Sequence, residues 1–312
     1  MNKKISNGMK SLSERTADSQ YQDLMRSVLK NGTRTQSQQG VDAMTLIAPM
    51  SLHFKLANGF PILNERSLNP KRASDSKSVA VWQQAIGEIL GFINGARTQA
   101  KLEKFGCHWW RHWVTKEKCE KRGFEEGDLG DGSYGAAFHD FPTVEGGTYN
   151  QFKNIIEQIK EYPHLRTHFI SPWIPQYTIR GNGKRQRVVV APCHGWIHIR
   201  IIDNKLTLHM FQRSCDIPLG LPQNLIQYAA LTMAIAQITG FEAYEYIHSF
   251  SDAHIYVDQI PAVEEMLARE PKRLATMSID PNIKDLFDFR IEHFTLSDYD
   301  PHPAIKGIPV AI

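Results

Sequence analysis

The chain has 312 residues, room for one large domain or two of ordinary size. Hydrophobic residues make up 42% and charged residues 22%, with 21 Gly and 16 Pro, which excludes collagen-like, low-complexity and wholly disordered chains. The 36 Lys and Arg nearly balance 33 Asp and Glu, so the net charge of +3 suits a small anionic ligand better than a long nucleic-acid track, and DNA is not an expected partner. Cys107, Cys119, Cys193 and Cys215 are too few and too irregularly spaced for a disulfide framework. No stretch reaches the ~18 apolar residues of a membrane span, and no apolar core follows the basic N-terminus. A soluble cytoplasmic protein in a reducing compartment is the expectation.

Residues 1–17 are polar and rich in Ser and Lys, and read as a flexible arm. Tyr21, Leu24, Met25, Val28 and Leu29 share one helix face, and Asn31-Gly32 supplies the stop. From Thr45 to Leu56 the alternation predicts one or two strands. Leu68 to Ser78 is a polar loop with the character of an insertion. Val79 to Ile93 predicts an apolar helix whose one acid, Glu88, is costly there unless paired or functional. Trp109, Trp110 and Trp113 follow, then a charged stretch over 116–126, also read as an insertion, and the turn-rich Gly127 to Gly135. Arg180 to Arg187 reads as a solvated hairpin tip around Asn182-Gly183, and Val188 to Pro192 as a short strand. His198–Ile202 and Leu206–Phe211 alternate around Asp203-Asn204 as a hairpin; Leu225 to Thr239 predicts a helix closed by Gly240, and Ala243 to Tyr256 a strand. Strands and helices mix without regular alternation, which predicts an α+β fold with a mixed or largely antiparallel sheet.

Cys193-His194 follows Pro192 at the edge of a predicted strand. A lone cysteine is more often a small buried hydrophobe than a nucleophile. The polar cluster Gln212-Arg213-Ser214-Cys215-Asp216 interrupts otherwise apolar segments, and a nearby arginine would favour the thiolate. Asp252, His254 and Tyr256 fall at i, i+2 and i+4 on one strand face, as the lining of a pocket or the solvated face of an edge strand. No paired Cys or His spacing suggests a metal, and no G-x-G-x-x-G or Walker lysine appears.

Taken together, Ala191-Pro192-Cys193-His194, Gln212 to Asp216, Leu219-Gly220-Leu221-Pro222 with Asn224, Asp252 to Tyr256, Tyr299 to Pro303 and the terminal Pro309 to Ile312 resemble the thymidylate synthase family in order and spacing. The resemblance extends to Asn31-Gly32-Thr33, Gly59-Phe60-Pro61, Glu88, Trp110, Trp113, Gly127 to Gly130 and Tyr134-Gly135, so it covers nearly everything from Tyr21 to Ile312. It implies one catalytic domain over 18–312, an α+β homodimer whose sheets pack back to back, and transfer of one carbon from 5,10-methylenetetrahydrofolate to C5 of a pyrimidine nucleoside monophosphate, with no metal.

By the same resemblance, Cys193 is the nucleophile that adds to C6, Arg213 and Ser214 bind phosphate, and Asn224 holds the base. His254 and Tyr256 hold the sugar hydroxyl. Asp216 orients the pterin in a folate site that also takes Arg66, Trp110, Trp113, Gly220, Gln223 and Ile312. Glu88, Tyr134 and His194 organise proton transfer, with Asp216 and Arg213 counted among the catalytic groups, and Arg166 is lent across the dimer interface.

Three departures bear on the outcome. The phosphate-binding loop after the first helix offers Gln38 or Gln39 where the family has an arginine; Arg166 is followed by Thr167 rather than a second arginine; and Gln223 stands where an aromatic normally precedes Asn224. Lys184, Arg185 and Arg187 are candidate substitutes for the missing cations. Gln223 loosens the stacking that hydride transfer needs and supplies a polar group for a water. The expected activity is therefore a (deoxy)uridylate 5-hydroxymethylase; the alternatives are thymidylate synthase proper, a CMP or dCMP hydroxymethylase, and a non-catalytic homologue that binds nucleotide or RNA.

Overall fold

A computed structural model of the protein describes residues 8–69 and 79–311. The first seven residues of the expected arm, most of the Leu68–Ser78 loop and Ile312 lie outside the described residues. Six principal helices are α1 (Gln20–Asn31), α2 (Val81–Ile93), α3 (Tyr134–His139), α4 (Gln151–Glu161), α5 (Gly220–Thr239) and α6 (Ile260–Leu267). The main sheet holds seven strands: β1 (Thr33–Thr35), β2 (Ala43–Ile47), β3 (Leu52–Lys55), β4 (Phe169–Ile170), β5 (Trp196–Ile202), β6 (Lys205–Asp216) and β7 (Glu242–Tyr256). Their order is β1-β2-β7-β6-β5-β4, and β3 also pairs with β7.

Local chemistry explains the pairing. Asp203 and Asn204 both take positive φ, 50° and 62°, the turn whose twist matches a two-residue hairpin, so β5 and β6 run antiparallel. Between β6 and β7 the chain crosses over through α5, and this pair is parallel. The other pairings in the main sheet are antiparallel, so the sheet is mixed and the α+β expectation holds. Ile197, Ile199 and Ile201 of β5 and Leu206, Leu208 and Met210 of β6 point into the core.

Two helices lie at the centre of that core. From Ala85 to Ile93 every residue of α2 is buried, and α5 is buried without a break from Asn224 to Ala236. A helix apolar on all sides belongs inside a protein, so the buried carboxyl and amides the two carry, Glu88 on α2 and Asn224 and Gln227 on α5, need partners in one another or in a ligand. Gly87 permits α2 to approach the next segment, because a Cβ there would collide with the Phe105 carbonyl oxygen. Gly87→Ala is therefore expected to destabilise the fold by about 1–3 kcal/mol through overpacking, read as a lowered urea midpoint; an unchanged midpoint would show that this contact yields freely.

Several sequence expectations are corrected. Residues 9–17 are not a frayed arm: Met9 and Arg15 are buried, and Arg15 Nη1 donates to Leu274 O at 3.0 Å. The charged stretch 116–126, read as an insertion, is anchored all the same, with Cys119 buried in a short helix over Lys116–Glu120 and Phe124 packed on the core, which leaves that reading untouched. Val188 to Pro192 is not a strand; the Val189 amide donates to Leu129 O at 2.9 Å, outside any ladder. Helix α5 begins at Gly220, five residues earlier than the apolar run suggested, which places Gln223 and Asn224 on its first turns.

Candidate active site

Cys193 lies in the irregular segment just before β5 and is held from two sides. Its amide donates to Tyr134 Oη on α3 at 2.6 Å, and its carbonyl accepts from the Arg213 amide of β6 at 2.8 Å. The Arg213 guanidinium curls back over the segment: Nε donates to Pro192 O at 2.7 Å, and Nη2 donates to Ala191 O at 3.1 Å and to Cys193 Sγ at 3.5 Å. Trp173 stacks beneath it, 5.7 Å from ring to guanidinium. Burial pushes the Cys193 thiol up, Arg213 pulls it the other way, and the Asp252 carboxylate adds to the rise. The expected assistance from Arg213 is present, but it does not outweigh burial.

His194 stacks on Tyr134 with ring centroids 4.5 Å apart, and its Nδ1 shares a 2.6 Å hydrogen bond with Tyr228 Oη of α5. Burial, with Arg213 nearby, pushes the imidazole down to about 3, so it is neutral at physiological pH. Gly195 then turns the chain into β5 at φ 101°, where a Cβ would sit 2.9 Å from Phe138 Cζ and Tyr228 Oη.

A chain of polar groups crosses from α2 to α5. Trp109 Nε1 donates to Glu88 Oε1 at 2.8 Å, and Trp110 Nε1 donates to the same oxygen. Gln227 Nε2 donates to Glu88 Oε2, and Asn224 Nδ2 donates to Gln227 Oε1 at 2.9 Å. Burial raises the Glu88 carboxyl to about 7 against the lowering effect of these donors. Next to Asn224, Gln223 Oε1 is buried and has no hydrogen-bond partner among the described residues.

On β6 and β7, Ser214 is opposite Asp252 and Asp216 opposite His254. His254 Nδ1 lies 2.7 Å from Asp252 Oδ1, and its ring meets Tyr256 edge-on at 5.1 Å. The three share a face as expected, but β7 is flanked by β6 on one side and by β2 and β3 on the other, so the edge-strand reading is excluded. Asp216 accepts from the Leu219 amide at 3.1 Å, and Gln259 Nε2 bridges its two carboxyl oxygens (3.3 and 3.1 Å) to the Pro309 carbonyl (3.0 Å). Burial raises Asp216, with Gln259, the Leu219 amide, His254 and Arg66 working against it. Arg66 is buried, its Nη2 donating to Pro218 O at 2.8 Å and its Nε unpartnered among the described residues.

Not every candidate converges. Arg166 is exposed, and among the described residues its guanidinium has no hydrogen bond or ion pair; only its carbonyl is engaged, by His198 Nε2 at 3.1 Å. Trp113 is half-buried with Lys118 over its ring, and Gly220 is the first residue of α5. Arg185 and Arg187 are committed elsewhere, to the Lys121 carbonyl and to Asp131, and Lys184 closes the hairpin tip. Instead Arg180, which the sequence did not single out, reaches Gln38 at 3.3 Å. Trp109, Trp173, Gln227, Tyr228 and Gln259 were also missed. Gln227 had a signal, an amide one helical turn after Asn224 in an otherwise apolar run.

Among the described residues no helix is long and apolar enough to cross a membrane, and no group of three or more His, Cys, Asp or Glu side chains is placed to hold a metal ion. A family model described as thymidylate synthase matches residues 19–312. A match over nearly the whole length, on a chain whose Arg213 guanidinium already sits against Cys193, decides the matter: the chain belongs to the thymidylate synthase family.

Proposed function

We propose that the protein is a (deoxy)uridylate 5-hydroxymethylase. The family transfers one carbon from 5,10-methylenetetrahydrofolate to C5 of a pyrimidine nucleotide, and the finer question is what becomes of that carbon. The observation that carries the hydroxymethyl reading is the buried Oε1 of Gln223 beside Asn224, unpartnered among the described residues. Leaving such an acceptor unpaired costs about 1–3 kcal/mol, and a water donating to it offsets that cost. On this reading a water held there would add to an exocyclic methylene on C5, where an aromatic side chain would exclude it.

Cys193, as the thiolate, adds to C6 and makes C5 nucleophilic; Arg213, whose Nη2 is 3.5 Å from Sγ, favours the charged form. Asn224 meets the C4 oxygen and N3 of the base, Arg213 and Ser214 take the phosphate, and His254 and Tyr256 hold the sugar. Arg180, beside Gln38, is the cation that stands in for the arginine lacking from that loop. The residues present also fit a folate: Asp216 offers a buried carboxyl held by Gln259 and the Leu219 amide, Arg66 has a spare buried N–H, and Trp110 and Trp113 supply apolar walls. Bound 5,10-methylenetetrahydrofolate supplies the one-carbon unit. Glu88, titrating near neutrality, passes protons at the C4 side with Tyr134 and His194. Phe169 and Ile202, 53% and 61% exposed at the outer strands, fit a sheet face covered by a second copy, to whose site Arg166 would be lent.

Thymidylate synthase proper is the second reading, favoured by the tie from Gln259 to Pro309, which draws the C-terminal segment over Asp216 and helps exclude water. Mass analysis of the product formed from dUMP, dCMP, UMP or CMP with methylenetetrahydrofolate separates the two. Hydroxymethyl gain is expected; a methyl gain with dihydrofolate absorbance would overturn the proposal, and no tritium release from 5-tritiated nucleotides would leave only a binding homologue. Gln223→Phe should move product from hydroxymethyl toward methyl, and an unchanged ratio removes Gln223 from the partition.

A further inference from the structure

Gln227 contributes to no step described so far, yet it is 0% exposed and joins the proton-handling acid to the base-facing amide. The direction of that chain follows from elementary hydrogen-bond chemistry. An ionised carboxylate only accepts, so Gln227 must present its NH₂ to Glu88. Its carbonyl oxygen is then left for Asn224, and an oxygen can only accept, so Asn224 must offer Nδ2. Asn224, 6% exposed, is thereby held with its amide nitrogen turned to Gln227 and its Oδ1 in one fixed place.

Uracil presents an acceptor at C4 and a donor at N3; cytosine presents the reverse. An asparagine free to rotate its amide by half a turn suits either ring. One that is held suits a single ring, and the other leaves buried polar groups facing like groups. We infer that Gln227 is a positioning residue for base discrimination, passing the acceptor-only polarity of Glu88 to Asn224 and so fixing the amide orientation that separates uracil from cytosine nucleotides. The inference rests on the reading of Asn224 as the group that meets the base. A Gln227 that merely filled the core would affect both nucleotides alike, whereas a positioning role changes their ratio.

The test is equilibrium binding of dUMP and dCMP to the full chain at a pH well above neutrality, where Glu88 is ionised. The wild type is expected to separate the two by about tenfold or more, the consequence of mispaired buried polar groups. Gln227→Met keeps the volume but cannot transmit polarity, and should bring the ratio to within about twofold of unity by weakening the preferred ligand and relieving the other. Gln227→Glu still offers Asn224 an acceptor while sharing a proton with Glu88, and should retain the preference. No preference in the wild type, or an unchanged ratio in folded Gln227→Met, would overturn the inference. Should that variant not fold, the side-chain amide signal of Asn224 in the wild type decides: one Nδ2 proton should keep its shift and protection when dUMP binds, and both protons moving or exchanging freely would count against it. Because binding is read without turnover, absence of one-carbon transfer would sink the proposed function without touching this result.

Discussion

Cys193→Ser is expected to lower tritium release from 5-tritiated nucleotide by at least about 10³-fold, the scale on which loss of a covalent nucleophile is felt. The reasoning is in the surroundings of Sγ. Among the described residues its hydrogen-bond partners are the Ala191 carbonyl and Arg213 Nη2, each at 3.5 Å, so a hydroxyl can replace the thiol with little change to the fold. The same surroundings leave the serine inert. Burial already holds the thiol above its ordinary range despite Arg213, and a hydroxyl, far harder to ionise, finds no base hydrogen-bonded to it among the described residues: His194 turns Nδ1 to Tyr228, and Tyr134 Oη is engaged by the Cys193 amide. A thiol held this way also predicts that turnover rises with pH until Cys193 is ionised. Thermal unfolding of the variant separates the two contributions, since an unchanged melting temperature with turnover lost assigns the effect to chemistry. Residual activity within about tenfold of wild type would remove Cys193 from the role of nucleophile.

How far the sequence could be read depended on whether a feature was local. Helix α1 and the β5–β6 hairpin are written in periodicity and in the Asp203-Asn204 turn, and both are present where expected. Glu88 was legible as a buried acid because nothing but apolar residues flanks it. Val188 to Pro192 misled because β-propensity expresses fitness for a ladder, and among the described residues no strand pairs with this segment; the Val189 amide finds the Leu129 carbonyl through a non-local loop contact instead. The same limit applies to Asp252, His254 and Tyr256, whose common face follows from spacing while their central position depends on β2, β3 and β6. Gln259 and Arg180 were invisible for the same reason: each acquires its significance from a partner far along the chain, Asp216 with Pro309 in one case and Gln38 in the other. The motif resemblance named Cys193, Arg213, Asp216 and Asn224 as candidates, but it could not show that Gln227 links Asn224 to Glu88, because that link depends on how α2 and α5 pack.

Glu88→Gln should cost about 10²–10⁴-fold in turnover, the range expected when a positioned proton-transfer group is lost. The carboxyl sits at about 7 rather than its ordinary 4.5 because burial penalises its charged form more than Trp109, Trp110 and Gln227 stabilise it. A group poised there exchanges protons readily at physiological pH, and the wild-type profile of kcat should show a limb near neutrality that the variant lacks. The same shift has a thermodynamic sign. A carboxyl whose folded value is raised favours the protonated folded state, so its contribution to stability is fully present below the unfolded value near 4.5 and is lost as pH rises through about 7. The total is about 3 kcal/mol by linkage. Relative to wild type, Glu88→Gln should therefore gain stability on going from acid to neutral pH, measured as the difference between the two urea midpoints at each pH. A parallel pH dependence in both proteins would place the titration elsewhere. The amide also differs from the carboxylate in being able to donate as well as accept, so at position 88 it no longer dictates which end of Gln227 it faces. Loss of turnover with retained nucleotide affinity, accompanied by weaker separation of dUMP from dCMP, would then report both functions of the one acid, proton transfer and the polarity of the chain that ends at Asn224.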